Sequence, residues 1–139
     1  MKKIWRQDSL RGSEEKTMIY YDLDENSGVL SVQPEGKLRA QDFLTLSEVV
    51  DPFIEEKGEL NGIVIVTEKF PGWEDFKGMI EHMKFVRNHH RKIAKVAIVT
   101  DSKIADVAES LGKHFVKASI KHFSYKEHES AKRWILKTQ

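Results

Sequence analysis

The chain has no cysteine among its 139 residues and only three prolines. Without cysteine there is no disulfide, no thiol nucleophile and no thiolate metal site, which is typical of a reducing compartment. No apolar stretch approaches the length of a membrane span. Residues 1–8 include basic side chains but lack the apolar segment of a signal peptide. The formal net charge of +1 does not favour nucleic acid as a partner. These absences predict a cytoplasmic protein, with any membrane contact peripheral.

The composition fits one compact domain, because 40% of the residues are hydrophobic and 32% are charged. Residues 1–17 are polar and show neither a helical nor a strand period. We therefore predict a flexible N-terminal tail over residues 1–17 and a domain over residues 18–139.

The central feature is an apolar run at 62–66, in which Gly62 is followed by four β-branched residues. It is bounded by Asn-Gly and Pro-Gly, which predicts a strand covered on both faces. A helix is predicted to begin at Trp73. Helical spacing places six of its apolar side chains on one arc, which we expect to be buried: Trp73, Phe76, Met79, Ile80, Met83 and Val86.

The remaining elements follow in chain order. A hairpin is predicted from strands at 18–21 and 29–32, and a helix over 40–57, which Pro52 kinks or restarts with Asp51 as its cap. Next come a strand at 93–99, a helix over 104–111, a strand near 118–123 and a last helix introduced by a capping box at 124–127, with Ala131, Trp134 and Ile135 facing inward. The order ββαβαβαβα predicts an α/β fold with a mixed, mostly parallel sheet and right-handed crossovers.

Four stretches, taken together, resemble the SpoIIAA-like family: 36–38 before a helix, 70–73 after the buried strand, 90–99, and Phe123 with 131–135. That family has the STAS-type fold, related to CRAL-TRIO lipid-binding domains. The resemblance implies a module without an assigned enzymatic activity that binds apolar ligands or membrane surfaces. The namesake proteins switch partners when a serine is phosphorylated after their third strand. Here that junction, 67–73, has no Asp-Ser pair, so this switch is not expected.

Catalytic and metal-binding patterns are weak. His82, His89 and His90 lack the spacing of three or four residues that places metal ligands on one helix face, so we expect solvated histidines at a helix end. Adjacent carboxylates such as Glu74 and Asp75 diverge on a helix and suit the helix dipole. No phosphate loop or nucleophile elbow occurs. We therefore expect no enzymatic activity, no metal and no cofactor.

Ligands of open α/β sheets bind beyond the carboxyl ends of the parallel strands. The residues expected there are Thr67, Phe70, Trp73, Phe76, Thr100, Asp101 and Ser102. Phe70, in a Pro-Gly loop, is either a buried plug or a lid over an apolar pocket. The alternatives are that Trp73 and Phe76 are core residues, and that Asp101 or Ser102 is a helix cap.

Two surfaces are candidates for further contacts. Phe85 is predicted to lie opposite the buried arc near Gly78, as a lone exposed side chain or as part of a weak homodimer interface. The basic residues between Arg87 and Lys95 are either solvated or face an anionic membrane. The leading hypothesis is a module that binds an apolar or amphiphilic small molecule, at a membrane surface. The alternative is a protein-interaction module without phosphoserine control, and nucleic acid is not expected.

Overall fold

The computed structural model describes residues 19–69, 71–103 and 117–137. In this part of the chain five strands form one sheet in the order β1-β2-β3-β4-β5. The strands are β1 Ile19–Asp24, β2 Val29–Pro34, β3 Leu60–Val66, β4 Ile93–Val99 and β5 Ser119–Phe123, and the helices are α1 Ala40–Lys57, α2 Phe76–His89 and α3 His128–Leu136, with a 3-10 turn at His90–Lys92. Strands β1 and β2 pair antiparallel, and the other pairs are parallel. This confirms the predicted mixed α/β fold, whereas the predicted tail and the helix over 104–111 lie outside the described residues.

The β1–β2 hairpin is closed by the turn chemistry that the sequence predicts. The Asp24 side chain accepts hydrogen bonds from the backbone of Asn26 and Ser27, and Gly28 adopts a positive φ of 71°. The Gly28 carbonyl then accepts from the backbone N–H groups of Asn61 and Gly62. The turn is thereby attached to the start of β3, which fixes the hairpin beside the parallel strands.

Helix α1 is continuous from Ala40 to Lys57 with Pro52 inside it, so the predicted restart at Pro52 is wrong. Asp51 caps nothing there. Its carboxylate instead contacts His89 of α2. The helix ends at Gly58, which has a φ of 98° and donates its N–H to the Ile54 carbonyl.

The sheet has a separate apolar cluster on each face. Helix α1 covers one face, and its cluster contains Leu30, Val32, Leu46, Val50 and Ile63. Helix α3 covers the other face, with Val64, Val66, Ala97, Val99 and Phe123. Ala131 and Ile135 are buried and Trp134 packs against the cluster, as predicted for the last helix.

Helix α3 lies close to the sheet because of two residues on β3 and β4. A Cβ at Gly62 would lie only 2.5 Å from Cγ2 of Ile135, so a glycine is required for this approach. Lys95, only 9% exposed, donates from Nζ to the carbonyls of Trp134 (2.8 Å) and Lys137 (2.9 Å). An ammonium there complements the negative end of the α3 dipole. Lys95 therefore does not belong to the predicted basic surface.

Candidate functional surface on helix α2

Helix α2 begins at Phe76, three residues later than predicted, because Asp75 caps it. The Asp75 carboxylate accepts from the Gly78 N–H at 2.9 Å. Trp73 lies outside the helix in an isolated parallel bridge with Leu38. The Glu74 N–H donates to the Leu38 carbonyl, which holds this segment beside the start of α1.

The face of α2 that packs inward is the reverse of the predicted one. It carries Gly78, His82, Phe85 and His89, at spacings of four, three and four residues, and we call it the inward face. Gly78 allows the close approach, since a Cβ there would lie 2.8 Å from the Leu38 carbonyl oxygen. The spacing itself is a sequence signal for a helix-packing face, but two of its four members are histidines and one is glycine, so hydrophobicity alone misses it.

Phe85 belongs to this inward face and packs against the main core cluster. Its ring centroid lies 6.4 Å from that of Phe43 on α1 and 4.1 Å from that of His89. The prediction that Phe85 stands opposite the buried arc beside an accessible Gly78 is therefore wrong, because both residues face α1 or Leu38. The homodimer prediction loses the surface on which it was based.

The opposite face of α2 is apolar and turned to solvent. Phe76 is 72% exposed and Met83, two turns further on, is 57% exposed, while Met79, Ile80 and Val86 are half-buried. We call these five residues the outward face. The prediction that Phe76 and Met83 are buried is wrong, because the contacts of the inward face determine how the helix is rotated.

Basic side chains border the outward face. Lys77, Lys84 and Arg87 on α2 are exposed, and Arg91 and Lys92 continue the exposed basic surface into the 3-10 turn. Lys84 lies 3.6 Å from Glu81 in an exposed ion pair, which stabilises little. The outward face is thus an apolar stripe with a positively charged border.

His82 is held between two aromatic side chains, contrary to the predicted solvated state. Its Nδ1 accepts from the indole Nε1–H of Trp73 at 3.0 Å. Its ring stacks on Phe43 with centroids 4.6 Å apart and an interplanar angle of 12°. Burial lowers the pKa of His82 to about 4, because the charged form loses its hydration there.

His89 connects α2 to α1 and is also not solvated, being only 6% exposed. Its Nε2 lies 2.7 Å from Oδ1 of Asp51, and its Nδ1 lies 2.7 Å from the Phe85 carbonyl oxygen. The latter contact uses a carbonyl in the last turn of α2, where a cationic side chain is favourable.

The carboxyl ends of β3 and β4 border a cleft of about 720 Å³ lined by Glu68, Lys69, Asp101, Ser102 and Lys103. Thr100 is buried beneath it, donating from Oγ1 to the Glu68 carbonyl and accepting from the Ser102 N–H. The Thr67 hydroxyl donates to the Lys69 carbonyl, so the hydrogen of each threonine hydroxyl is already used within the protein.

The predicted ligand site is therefore divided. Asp101 and Ser102 line the cleft, although one Asp101 oxygen already accepts from the Tyr125 N–H. Trp73 and Phe76 do not line it, and Phe70 lies outside the described residues. The position follows the topology of the sheet, but the lining residues that the structure describes are charged or hydroxylic instead of apolar.

Within residues 19–69, 71–103 and 117–137, no three histidine, aspartate or glutamate side chains come together as a metal site. No helix in that same part of the chain is both long and apolar enough to cross a bilayer.

The strand order, the crossovers and the helices on both faces define an α/β protein with a mixed sheet. The SpoIIAA-like family model matches residues 29–136, and the chain belongs to this family. A protein of the DUF3478 family from Shewanella loihica PV-4, whose crystal structure has a SpoIIAA-like fold, superposes with a TM-score of 0.68 at 17% identity. The match covers 88% of this chain and 98% of that one, and at this identity it shows the fold alone. No curated protein matches the chain at a significant level.

Proposed function

We propose that this protein reversibly binds amphiphiles with anionic headgroups at a membrane surface, without catalysis, through the outward face of α2. The single observation that supports this most strongly is the exposure of Phe76 and Met83 on one side of a helix. The two side chains are separated by two turns, or roughly 10 Å along the axis. Apolar side chains this exposed on one face commonly mark a contact surface.

Charge favours an anionic surface over a second copy of the chain. Two outward faces placed against each other would bring Lys77, Lys84 and Arg87 near the same residues of the other copy. An anionic bilayer instead attracts each basic residue near its surface by about 1 kcal/mol. Transfer of the exposed parts of Phe76 and Met83 out of water adds to this, at up to about 1.5–3 kcal/mol for each fully buried side chain. The combination is that of an interfacial amphipathic helix.

The test is binding of the full chain to vesicles of phosphatidylglycerol and phosphatidylcholine, compared with phosphatidylcholine alone. We expect binding to the anionic vesicles that weakens with added salt, because the basic border is exposed. Phe76→Ser with Met83→Ser should reduce the affinity more than about tenfold, equivalent to roughly 1.4 kcal/mol. Both side chains are exposed, so the fold should be retained.

A matched control is Leu136→Ser. Leu136 is 54% exposed on α3, which covers the other face of the sheet. This variant should bind anionic vesicles within about twofold of the wild-type chain. Absence of vesicle binding by the wild-type chain, or an equal loss in Leu136→Ser, would refute the proposal.

A further inference from the structure

We propose that His82 on the inward face of α2 is a neutral imidazole that accepts a hydrogen bond at Nδ1, and that proton uptake by this ring releases the N-terminal half of α2 from α1. The protonation state of His82 follows from its hydrogen-bond geometry. Its use as a regulation of membrane contact rests on the proposed function.

The tautomer of His82 follows from its partner. An indole N–H can only donate, so the Nδ1 atom that lies 3.0 Å from Nε1 of Trp73 must carry a lone pair. The proton of the neutral ring is therefore on Nε2. Stacking against Phe43 encloses the ring further. Burial, which lowers the pKa of His82 to about 4, favours this same neutral form.

The contacts of His89 differ from those of His82. The Phe85 carbonyl oxygen can only accept, so Nδ1 of His89 donates to it. Its Nε2 lies 2.7 Å from Oδ1 of Asp51, whose side chain is 61% exposed. The ring stacks on Phe85 with centroids 4.1 Å apart.

The charged groups near His82 in the sequence of its packing elements already have other partners. At the start of α1, Arg39 and Asp42 lie 3.6 Å from each other. On α2, Glu81 lies 3.6 Å from Lys84, and Asp75 caps the helix. In the described part of the chain no carboxylate hydrogen-bonds His82, so no such hydrogen bond compensates a positive charge on its ring.

In the 3-10 turn that follows α2, His90 accepts the Lys117 N–H at Nδ1. Like His82, His90 therefore accepts a hydrogen bond at Nδ1, although its donor is a backbone N–H and not an indole. It lies beyond the inward face and provides a matched comparison for His82.

Acid acts on the two ends of α2 differently. A proton taken from solvent bonds to Nδ1 of His82, which then presents an N–H to the Trp73 N–H, and the hydrogen bond is lost. Both ring nitrogens of His89 face oxygen atoms that can accept, so acidification does not oppose its contacts to Asp51 and Phe85. Release of α2 therefore begins at its N-terminal end, next to Trp73, while its C-terminal end stays attached to α1.

The expected size follows from proton linkage. A released His82 returns to the ordinary pKa of 6.5, compared with about 4 when docked. The docking equilibrium of α2 should then shift toward the released state about 20-fold between pH 7 and pH 5.

The first measurement is nitrogen NMR of the histidine rings in the labelled full chain at pH 7. We expect His82 to be neutral with its proton on Nε2. A charged His82, or a neutral His82 with its proton on Nδ1, would overturn the inference. Variants are needed for this measurement only to assign the signals.

The second measurement is hydrogen exchange of the α2 amides from Phe76 to Met83 at pH 7 and pH 5, corrected for intrinsic rates. Protection should fall about 20-fold in the wild-type chain. In His82→Gln, whose amide oxygen still accepts from Trp73, it should fall less than about twofold, whereas His90→Gln should behave as the wild type. Equal pH dependence in His82→Gln and wild type would overturn the release mechanism.

Neither measurement uses vesicles, so a negative result in either one can be distinguished from failure of the proposed membrane binding. A third measurement, binding to phosphatidylglycerol vesicles at both pH values, tests the regulation. Stronger binding at pH 5 that disappears in His82→Gln supports it. Loss of α2 protection at pH 5 without any vesicle binding would support release by protonation of His82 and reject its role in membrane contact.

Discussion

The contact between Gly62 and Ile135 gives the sharpest stability prediction. In Gly62→Ala the new methyl carbon would lie 2.5 Å from Cγ2, 2.9 Å from Cδ1 and 3.0 Å from Cγ1 of Ile135. Ile135 is buried in the cluster between α3 and the sheet and cannot turn away freely. Overpacking of this kind costs about 1–3 kcal/mol, partly offset by about 0.5–1 kcal/mol gained when alanine replaces glycine in a strand. We expect a net loss of about 1–2 kcal/mol.

The assay is a double-mutant cycle by urea unfolding. Ile135→Ala alone should cost about 2–5 kcal/mol, because it leaves a cavity beside Gly62. In that background the Gly62→Ala methyl enters vacated space and should be neutral or stabilising, so the coupling free energy should reach at least about 1 kcal/mol. Equal cost of Gly62→Ala in both backgrounds would refute the steric explanation and point to a requirement of the backbone itself.

Two further predictions concern buried titratable groups. Lys95→Met should lower the free energy of unfolding by about 2 kcal/mol, because the Trp134 and Lys137 carbonyls lose a charged donor. The exposed control Lys92→Met should change it by less than about 0.5 kcal/mol. Equal stability of the two variants in urea would contradict this. The folded state favours neutral His82, so its contribution is fully present above pH 6.5 and is lost as the pH falls toward 4, by about 3 kcal/mol in total. The stability difference between wild type and His82→Gln should therefore change over this range, and a difference that is constant with pH would contradict the lowered pKa.

The strands and their order could be predicted because their signals are local. The β-branched run of β3, 63–66, is buried or half-buried on both faces, and β4 alternates buried and half-buried residues after the exposed Ala94, so burial and chain geometry favour the same assignment. The same holds for α3, where Ala131 and Ile135 recur at helical spacing and are buried.

The rotation of α2 could not be predicted from hydrophobic periodicity, because its determinants lie far away in the sequence. The acceptors and rings that hold the inward histidines come from α1, namely Asp51 and Phe43, and from Trp73 before the helix. Each of these contacts is polar or aromatic, whereas the periodic signal counts only apolar side chains. The start of α2 was misplaced for a related reason, since Asp75 serves as a cap and not only as a complement to the dipole.

The position of the cleft followed from the topology of the sheet, but its chemistry did not. Lys69 and Lys103 lie in the loops after β3 and β4 and contribute charge to the lining. Greater weight on these residues, and less on the aromatic residues of the same loop, would have predicted a polar cleft.

The close approach at Gly62 also has an evolutionary meaning. Position 62 tolerates a side chain only where position 135 gives up volume, and a branched residue at 135 is compatible only with glycine at 62. Two sites far apart in the sequence therefore share one constraint, and natural selection acts on them as a pair. Among homologous chains we expect substitutions at one position to be accompanied by substitutions at the other.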